Sequence, residues 1–396
     1  MNDKLMAGAP PAPENRVTLE NWRTAPYNRW SFRNVRNMVP SAPVRRDPSH
    51  VWPLEPAHED LSGIVFEGEG GSQWTVARWL EDSFTDGLIV LRGNTVLCEH
   101  YANGMAADHQ HILMSVSKSV TGALAGILAE RGVLNPDAPV TAYVPEAEGS
   151  AYETATVRNL LDMTCGVAFD EDYLAVDGAI VRYREASGWK PAADPATLTD
   201  QRSFVVSLKP EGEHGGMFRY ISPNTDLLGW VLERASGQAF ADLLSEAVWR
   251  PLGAEFDSYV TVDRLGAPRT AGGICMCLRD LARTGLMMSR DGCTGAERIV
   301  PAAWVEDIRT GGDPAAWKLG TMASLFPDGA YRSKWYATGF ASGAFTGIGV
   351  HGQYLYVVPS ADVVIAKFSS AVLPVDDAME VTSMAAFEAI AAAVGR

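Results

Sequence analysis

The apolar positions fall into three regimes along the chain. Between Gly87 and Tyr101, two short apolar runs flank Arg92-Gly93-Asn94, which predicts two strands joined by a tight turn. From Ser115 the spacing changes. Val116, Val120, Ala123, Leu124, Ile127 and Leu128 recur as one face of a helix, and Gly132 followed by Asn135-Pro136 predicts its stop. Residues 150–250 keep helical spacing over Val157–Met163, Asn224–Ala235 and Phe240–Trp249, and a further helix is predicted over 278–290 with Arg279, Asp280 and Arg283 as its polar side. The last third returns to strand patterns at Gly343–Gln353, Tyr354–Val358 and Val363–Ser370, with a turn at Pro359-Ser360. An alanine-rich helix over Ala378–Val394 closes the chain.

Strands, a helical block, strands and a closing helix predict an α+β fold: an antiparallel sheet built from both ends of the chain, flanked by helices, with an all-helical region inserted. Residues 1–50 read as an N-terminal arm and wrapping segment, loose over 1–20 where Pro, Ala and Asn dominate. Residues 51–115 and 265–396 read as one discontinuous α/β domain and 116–264 as a mainly helical domain, with the active site in the cleft between them. There is no internal repeat and no low-complexity tract.

Composition narrows the function classes. The 396 residues suffice for a large buried core, and the net charge of −15 sets the surface against phosphate backbones and anionic lipid heads. Nucleic acid and membrane are therefore not expected as partners. The apolar stretches, such as Gly122–Ala129, are too short to span a bilayer, and the first residues lack the apolar core of a secretory signal. The expected compartment is the cytoplasm. The five cysteines cannot all pair and read as reduced, mostly buried thiols, and Cys275-Met276-Cys277 lacks a second pair for zinc.

The candidate chemistry lies in Leu113-Met114-Ser115-Val116-Ser117-Lys118-Ser119. Ser115 sits at the mouth of the predicted helix and Lys118 one turn on, so the amine can reach the hydroxyl. Serine needs a base, and lysine serves only when neutral. Moving its pKa from about 10.4 to near 7 costs roughly 4–5 kcal/mol, which burial can supply. S-x-x-K alone is a weak signal. What strengthens it is that Lys118 interrupts an otherwise buried apolar pattern. The second element is Tyr220, just before a helix start at Ser222 or Asn224; a phenol near the pair can relay protons to a leaving group. The third is Thr346-Gly347-Ile348-Gly349-Val350-His351-Gly352-Gln353, where small residues let a substrate backbone approach and a strand N–H such as that of Val350 can serve as an oxyanion donor.

Other motifs fall away. Gly347-x-Gly349-x-x-Gly352 matches a dinucleotide fingerprint, but Gln353-Tyr-Leu-Tyr-Val-Val reads as strand where that motif needs a helix. No P-loop and no G-x-S-x-G elbow occurs. His109-Gln110-His111 lacks an acidic partner for a metal and reads as two surface histidines. No cofactor and no metal is called for.

In order and spacing, the chain resembles the class C β-lactamases, penicillin-recognising peptidases and family VIII carboxylesterases, and within that group the nylon-oligomer hydrolases. The resemblance rests on Pro26-Tyr27-Asn28-Arg29-Trp30, Leu113–Ser119, Glu171-Asp172-Tyr173, Gly188-Trp189, Asn224-Thr225-Asp226 and Ile348–Gln353. It implies the β-lactamase fold and a serine hydrolase of amides or esters, of 6-aminohexanoate-oligomer type with carboxylesterase activity. Ser115 would be acylated, Lys118 would be the base, Tyr220 the proton relay, and the N–H groups of Ser115 and Val350 the oxyanion hole. Tyr173 would contact the scissile amide and Trp189 would line the pocket. By its position beside the oxyanion strand, and not by the resemblance, His351 is expected either to touch substrate or to make a structural hydrogen bond. A small-molecule substrate and a homodimer are implied. The lysine of the usual Lys-Thr-Gly is replaced in Gly347-Ile348-Gly349, which argues against β-lactams. Ser222 stands where those enzymes often have asparagine. Arg184 falls where amide-active nylon-oligomer hydrolases carry an aspartate, and an arginine does not favour a substrate ammonium. The alternatives are a family VIII-like esterase without useful amidase activity, a β-lactamase-like enzyme, and a catalytically silent ligand-binding relative.

Overall fold

The strands at the centre of the molecule are apolar on both faces, and the chain covers both. The computed structural model describes residues 4–395 except 197 and 296. Its main sheet has eight strands in the order Ala330–Arg332, Trp335–Ala337, Phe345–Gly349, Gln353–Val358, Val363–Ser369, Thr85–Arg92, Thr95–Tyr101 and Glu55–Pro56. Every pairing is antiparallel except that of the last two. The two ends of the chain meet where Val364 faces Leu91 and Ile365 faces Val90.

Alternation assigns the faces. Leu88, Val90, Tyr354, Tyr356 and Ile365 pack with Trp79, Met384, Phe387 and Ile390, which brings the closing helix Asp377–Val394 onto one side. Ile89, Leu91, Leu355, Val357, Val364 and Phe368 join a second core with Leu281 and Leu286 of the helix Leu278–Ser289. Gly285 permits that approach, since a Cβ there would lie 2.6 Å from Val364 and 2.7 Å from Leu355. Asp280 and Arg283, expected as the polar side of this helix, are buried instead. They pair at 2.8 Å, and Arg283 also reaches Glu255 at 3.0 Å, so the polar side faces protein rather than water.

The helix Val116–Glu130 is buried from Val116 through Leu128 and packs in the same core as the helix Pro223–Ser236. The helices Val157–Leu161, Ala179–Ala186, Gln201–Ser207 and Phe240–Leu244 complete this side. The first of them starts with a capping box between Thr156 and Asn159.

Three further expectations need correction. Residues 4–20 are not loose: Leu5 and Val17 are buried, and the hydrophobic segment up to Val39 packs on a four-stranded sheet. That sheet runs Ser41–Val44, Ser258–Thr261, Ile274–Met276 and His111–Ile112. Residues 1–3 lie outside the described residues. His111 is not on the surface. Its ring stacks on Phe368 at 4.7 Å and one nitrogen lies 3.4 Å from the buried Asp86 carboxylate. The predicted strand Gly343–Gln353 breaks at Val350-His351-Gly352, where His351 and Gly352 take positive φ of 63° and 85° and the chain reverses into the next strand. All five cysteines are free thiols; Cys165, Cys275 and Cys277 are buried and Cys98 and Cys293 half-buried. No described helix is long and apolar enough to cross a membrane.

Candidate active site

Ser115 owes its position to a forced turn. The strand His111–Ile112 ends, Leu113 N donates to Ile274 O at 2.9 Å, and Met114 takes a positive φ of 45°, which a bulky residue rarely adopts. The next residue, Ser115, caps the buried helix. The strand Phe345–Gly349 passes beside this turn. A Cβ on Gly349 would lie 2.6 Å from Leu113 O and 3.0 Å from Ser115 N, and one on Gly347 would lie 2.7 Å from Ser119 Oγ. Two glycines in this strand therefore allow its end, and Val350 beyond it, to reach the serine. The N–H groups of Ser115 and Val350 have no acceptor among the described residues.

Lys118 is 1% exposed and its Nζ makes three contacts: Ala271 O at 2.7 Å, Ser115 Oγ at 2.9 Å and Ser222 Oγ at 3.1 Å. Burial pushes this amine down to about 7, with the Arg269 charge adding to the effect and Glu171 and Asp226 opposing it. Tyr220 lies across from it, with Nζ 4.9 Å from the ring centre. Burial pushes the Tyr220 hydroxyl upward, against its hydrogen bonds with Ser115 and Tyr336. Near neutral pH Lys118 can thus be a free amine while Tyr220 stays protonated, which fits the lysine to the part of base and the phenol to that of donor. The Tyr220 hydroxyl meets Ser115, and its link to Lys118 runs through the serine and the ring face.

A second layer holds these groups. Glu171 accepts from Ser222 N at 2.9 Å, from Ser222 Oγ at 2.5 Å and from the Tyr173 hydroxyl at 3.1 Å. Asp226, in the first turn of the helix Pro223–Ser236, pairs with Arg269 at 2.7 Å, accepts from Ala271 N at 2.8 Å and takes the Tyr183 hydroxyl. It thereby fixes the residue, Ala271, whose carbonyl holds Lys118. The Arg269 guanidinium lies between the Tyr183 and Trp189 rings, 3.8 and 4.8 Å from their centres.

The remaining predicted residues, Tyr173, Arg184, Trp189 and His351, line a cavity of about 370 Å³ that also borders Ser115. Trp189 is oriented by Nε1 donating to Thr261 Oγ1 at 3.1 Å. Arg184 donates to the Tyr173 carbonyl at 2.9 Å. His351 is held by Nδ1, 2.8 Å from Ala371 O, and burial pushes it down to about 4, so it is neutral. Sequence reading missed Glu171, Asp226, Ala271 and Arg23 as parts of the site. Glu171 and Asp226 stood in segments that carried the resemblance, but local pattern gave no reason to aim them at Lys118. Arg23 had no signal beyond its neighbour Trp22.

The geometry is that of a serine acyl-transfer site, and the comparisons agree. Residues 81–388 match the Beta-lactamase family, and the chain belongs to it, a serine hydrolase acting on amide or ester bonds. The 6-aminohexanoate-dimer hydrolase of Paenarthrobacter ureafaciens is 38% identical over 364 residues, which cover 91% of this chain and 90% of that protein. A Bacillus anthracis structure assigned to the 6-aminohexanoate-dimer hydrolases superposes with a TM-score of 0.87 at 25% identity, covering 96% of this chain and 97% of that one. Esterase EstB of Burkholderia gladioli is 31% identical over 166 residues, 40% of this chain and 41% of its own.

Proposed function

We propose that this protein hydrolyses a small linear amide or ester by the route of the 6-aminohexanoate-dimer hydrolases, with carboxylesterase activity at the same site. The observation that carries the reading is the buried Lys118 amine, pushed down to about 7 and 2.9 Å from Ser115 Oγ. With two hydrogens held by Ala271 O and Ser222 Oγ, a neutral Lys118 turns its lone pair to Ser115. It takes the serine proton as Oγ attacks the carbonyl carbon. The N–H groups of Ser115 and Val350 stabilise the oxyanion; each such donor contributes roughly 2.7–4 kcal/mol. The C–N or C–O bond then breaks, Tyr220 passes a proton to the leaving amine or alcohol, and Lys118 restores it. Water, deprotonated by the same amine, cleaves the acyl-enzyme and frees the acid. Tyr173 steadies the scissile amide, while Trp189, Arg184 and His351 wall the acyl chain. The free thiols fit a cytoplasmic address.

The rate on 6-aminohexanoate linear dimer beside p-nitrophenyl acetate, with Ser115→Ala as control, tests this reading. Cleavage of both by the wild type and neither by the variant is expected of an amidase with esterase activity. Cleavage of the ester alone would leave the acyl-enzyme route and make the protein a family VIII-like esterase. Arg184 on the acyl wall is the observation that favours this second reading. Activity in a folded Ser115→Ala chain would remove serine as the nucleophile.

A further inference from the structure

Ser115 separates two recesses of opposite charge. The first, of about 370 Å³, is walled by Arg23, Arg184, Arg269 and a single carboxylate, Glu171. The four groups are not equivalent. Arg269 is neutralised by Asp226 at 2.7 Å, and Glu171 is engaged by Ser222 and Tyr173. Arg184 is buried, and its hydrogen bond goes to a carbonyl, that of Tyr173; it forms no ion pair among the described residues. Arg23 forms none either. Its guanidinium rests 5.9 Å from the Trp22 ring centre, and its buried Nε has no hydrogen-bond partner among the described residues. Burial and the charges of Arg184 and Arg269 push Arg23 down to about 9. Two cations that form no ion pair among the described residues, though Glu171 and Asp172 act on Arg184 and Glu20 on Arg23 from farther off, thus face one cavity, an arrangement that favours a bound anion.

The second recess, of about 430 Å³, lies on the Tyr220 side of the serine. Asp170, Asp172, Asp377 and Glu380 line it, and its cation, Arg219, is engaged by Glu211. Burial, with Asp377 and Asp376, pushes the Glu380 carboxyl up to about 7; the carboxylates of Asp170, Asp172 and Asp377 in the same lining disfavour an added anion there. Because Tyr220 protonates the departing group, the leaving half belongs in this acidic recess, and the acyl half belongs in the cationic one.

We propose that the acyl half of the substrate ends in a carboxylate bound by Arg23 and Arg184, so that the substrates are half-amides and half-esters of short dicarboxylic acids. This rests on the acyl-enzyme reading above. Ser115 Oγ forms the ester bond to the near carbonyl, and the amine or alcohol leaves with the proton from Tyr220. Water then releases the free dicarboxylate. An acyl chain ending in an ammonium, as in a 6-aminohexanoyl group, would set like charges together in the same recess.

Three p-nitrophenyl esters of equal acyl length test the charge alone: monoadipoyl, hexanoyl and 6-aminohexanoyl, ending in −1, 0 and +1. After subtraction of spontaneous hydrolysis, kcat/KM should fall in that order. The adipoyl ester should exceed the hexanoyl ester by about tenfold to a hundredfold, the scale of a charge-assisted hydrogen bond, mainly through KM. Arg184→Asp should reverse the order, and Arg23→Gln should lower the adipoyl-to-hexanoyl ratio. A hexanoyl rate equal to or above the adipoyl rate, or a preference for 6-aminohexanoyl, would overturn the proposal while leaving the acyl-enzyme standing. No turnover of any of the three would sink the acyl-enzyme reading instead. Calorimetric titration of the folded Ser115→Ala chain with adipate and hexanoate then decides the pocket without chemistry: tighter adipate supports it, and equal affinity overturns it.

Discussion

Lys118 and Lys367 are both sealed from solvent, and burial pushes both amines down to about 7. Their surroundings differ in kind. Lys118 Nζ lies within hydrogen-bond distance of three oxygens, one of them on a serine that faces two cavities. Lys367, on the strand Val363–Ser369, has no hydrogen-bond partner for its Nζ among the described residues; it lies 5.4 Å from the Trp79 ring centre and 5.9 Å from that of Tyr354. Lys334 is likewise buried with an unpartnered Nζ. Desolvation alone therefore makes a neutral lysine, and three of the chain's seven lysines experience it. What distinguishes Lys118 is an oriented lone pair next to an accessible hydroxyl. A lowered pKa marks a site only when a reactant can reach it.

The contrast can be broken most severely at the reacting pair. Ser115→Ala or Lys118→Met should lower turnover of p-nitrophenyl acetate about 10⁴-fold or more, with an unchanged circular dichroism spectrum. If Lys118→Met kept more than a tenth of the activity, the neutral amine beside Ser115 would have no privileged role over Lys367.

Asp226→Asn comes next. It leaves the buried Arg269 charge uncompensated and loosens the acceptor for Ala271 N, so kcat should fall by about 10²-fold and stability by about 3–5 kcal/mol. A merely structural effect would leave the pH profile in place. With the Asp226 anion gone and Arg269 unopposed, Lys118 should lose its proton more easily, and the acid limb should move to lower pH.

That limb is itself a prediction. Catalysis needs the unprotonated amine, so kcat/KM on p-nitrophenyl acetate should fall about tenfold per unit below pH 7 and level off above it. Glu380 is also pushed up to about 7, so Glu380→Gln should be run in parallel. A limb that vanishes in Glu380→Gln would reassign the titration to the carboxyl. Tyr173→Phe should lower amide turnover about tenfold and ester turnover less; equal losses would remove its amide-specific contact.

The smallest effect on activity is expected at Lys367→Met. Activity and its pH limb should be unchanged. Replacing an unpartnered buried amine by an apolar side chain of similar length should raise stability by about 1–3 kcal/mol, read as a higher Tm. A drop in activity would mean that the two buried lysines are coupled.

Legibility in the sequence followed the range of the interactions. The strands around Gly93, the helix after Ser115 and the closing helix were readable because each declares itself in consecutive residues. The pairing of Ser41–Val44 with Ser258–Thr261 was not, since strands of four residues carry little pattern and their partners lie over two hundred residues away. His111, Asp280 and Arg283 were read as exposed because polarity is a local property, whereas burial in an ion pair or ring stack depends on what the fold brings opposite. The break at Val350–Gly352 lay inside a segment read as continuous strand, and the positive φ of His351 and Gly352 and the hairpin register reveal it.

The sequence by itself determined that Ser115 and Lys118 lie one helical turn apart, which is the spacing on which their proposed roles as nucleophile and base rest. It determined the succession of strands, helical block, strands and closing helix as well, because each regime shows its own period in consecutive residues. Tertiary structure decided everything that requires convergence. Glu171, Ser222 and Ala271 meet at Lys118 from three segments, Asp226 fixes one of them, and Arg23 arrives from the N-terminal segment to stand in the same wall as Arg184. Such meetings are set by the packing of separate apolar faces, and no stretch of residues encodes them locally.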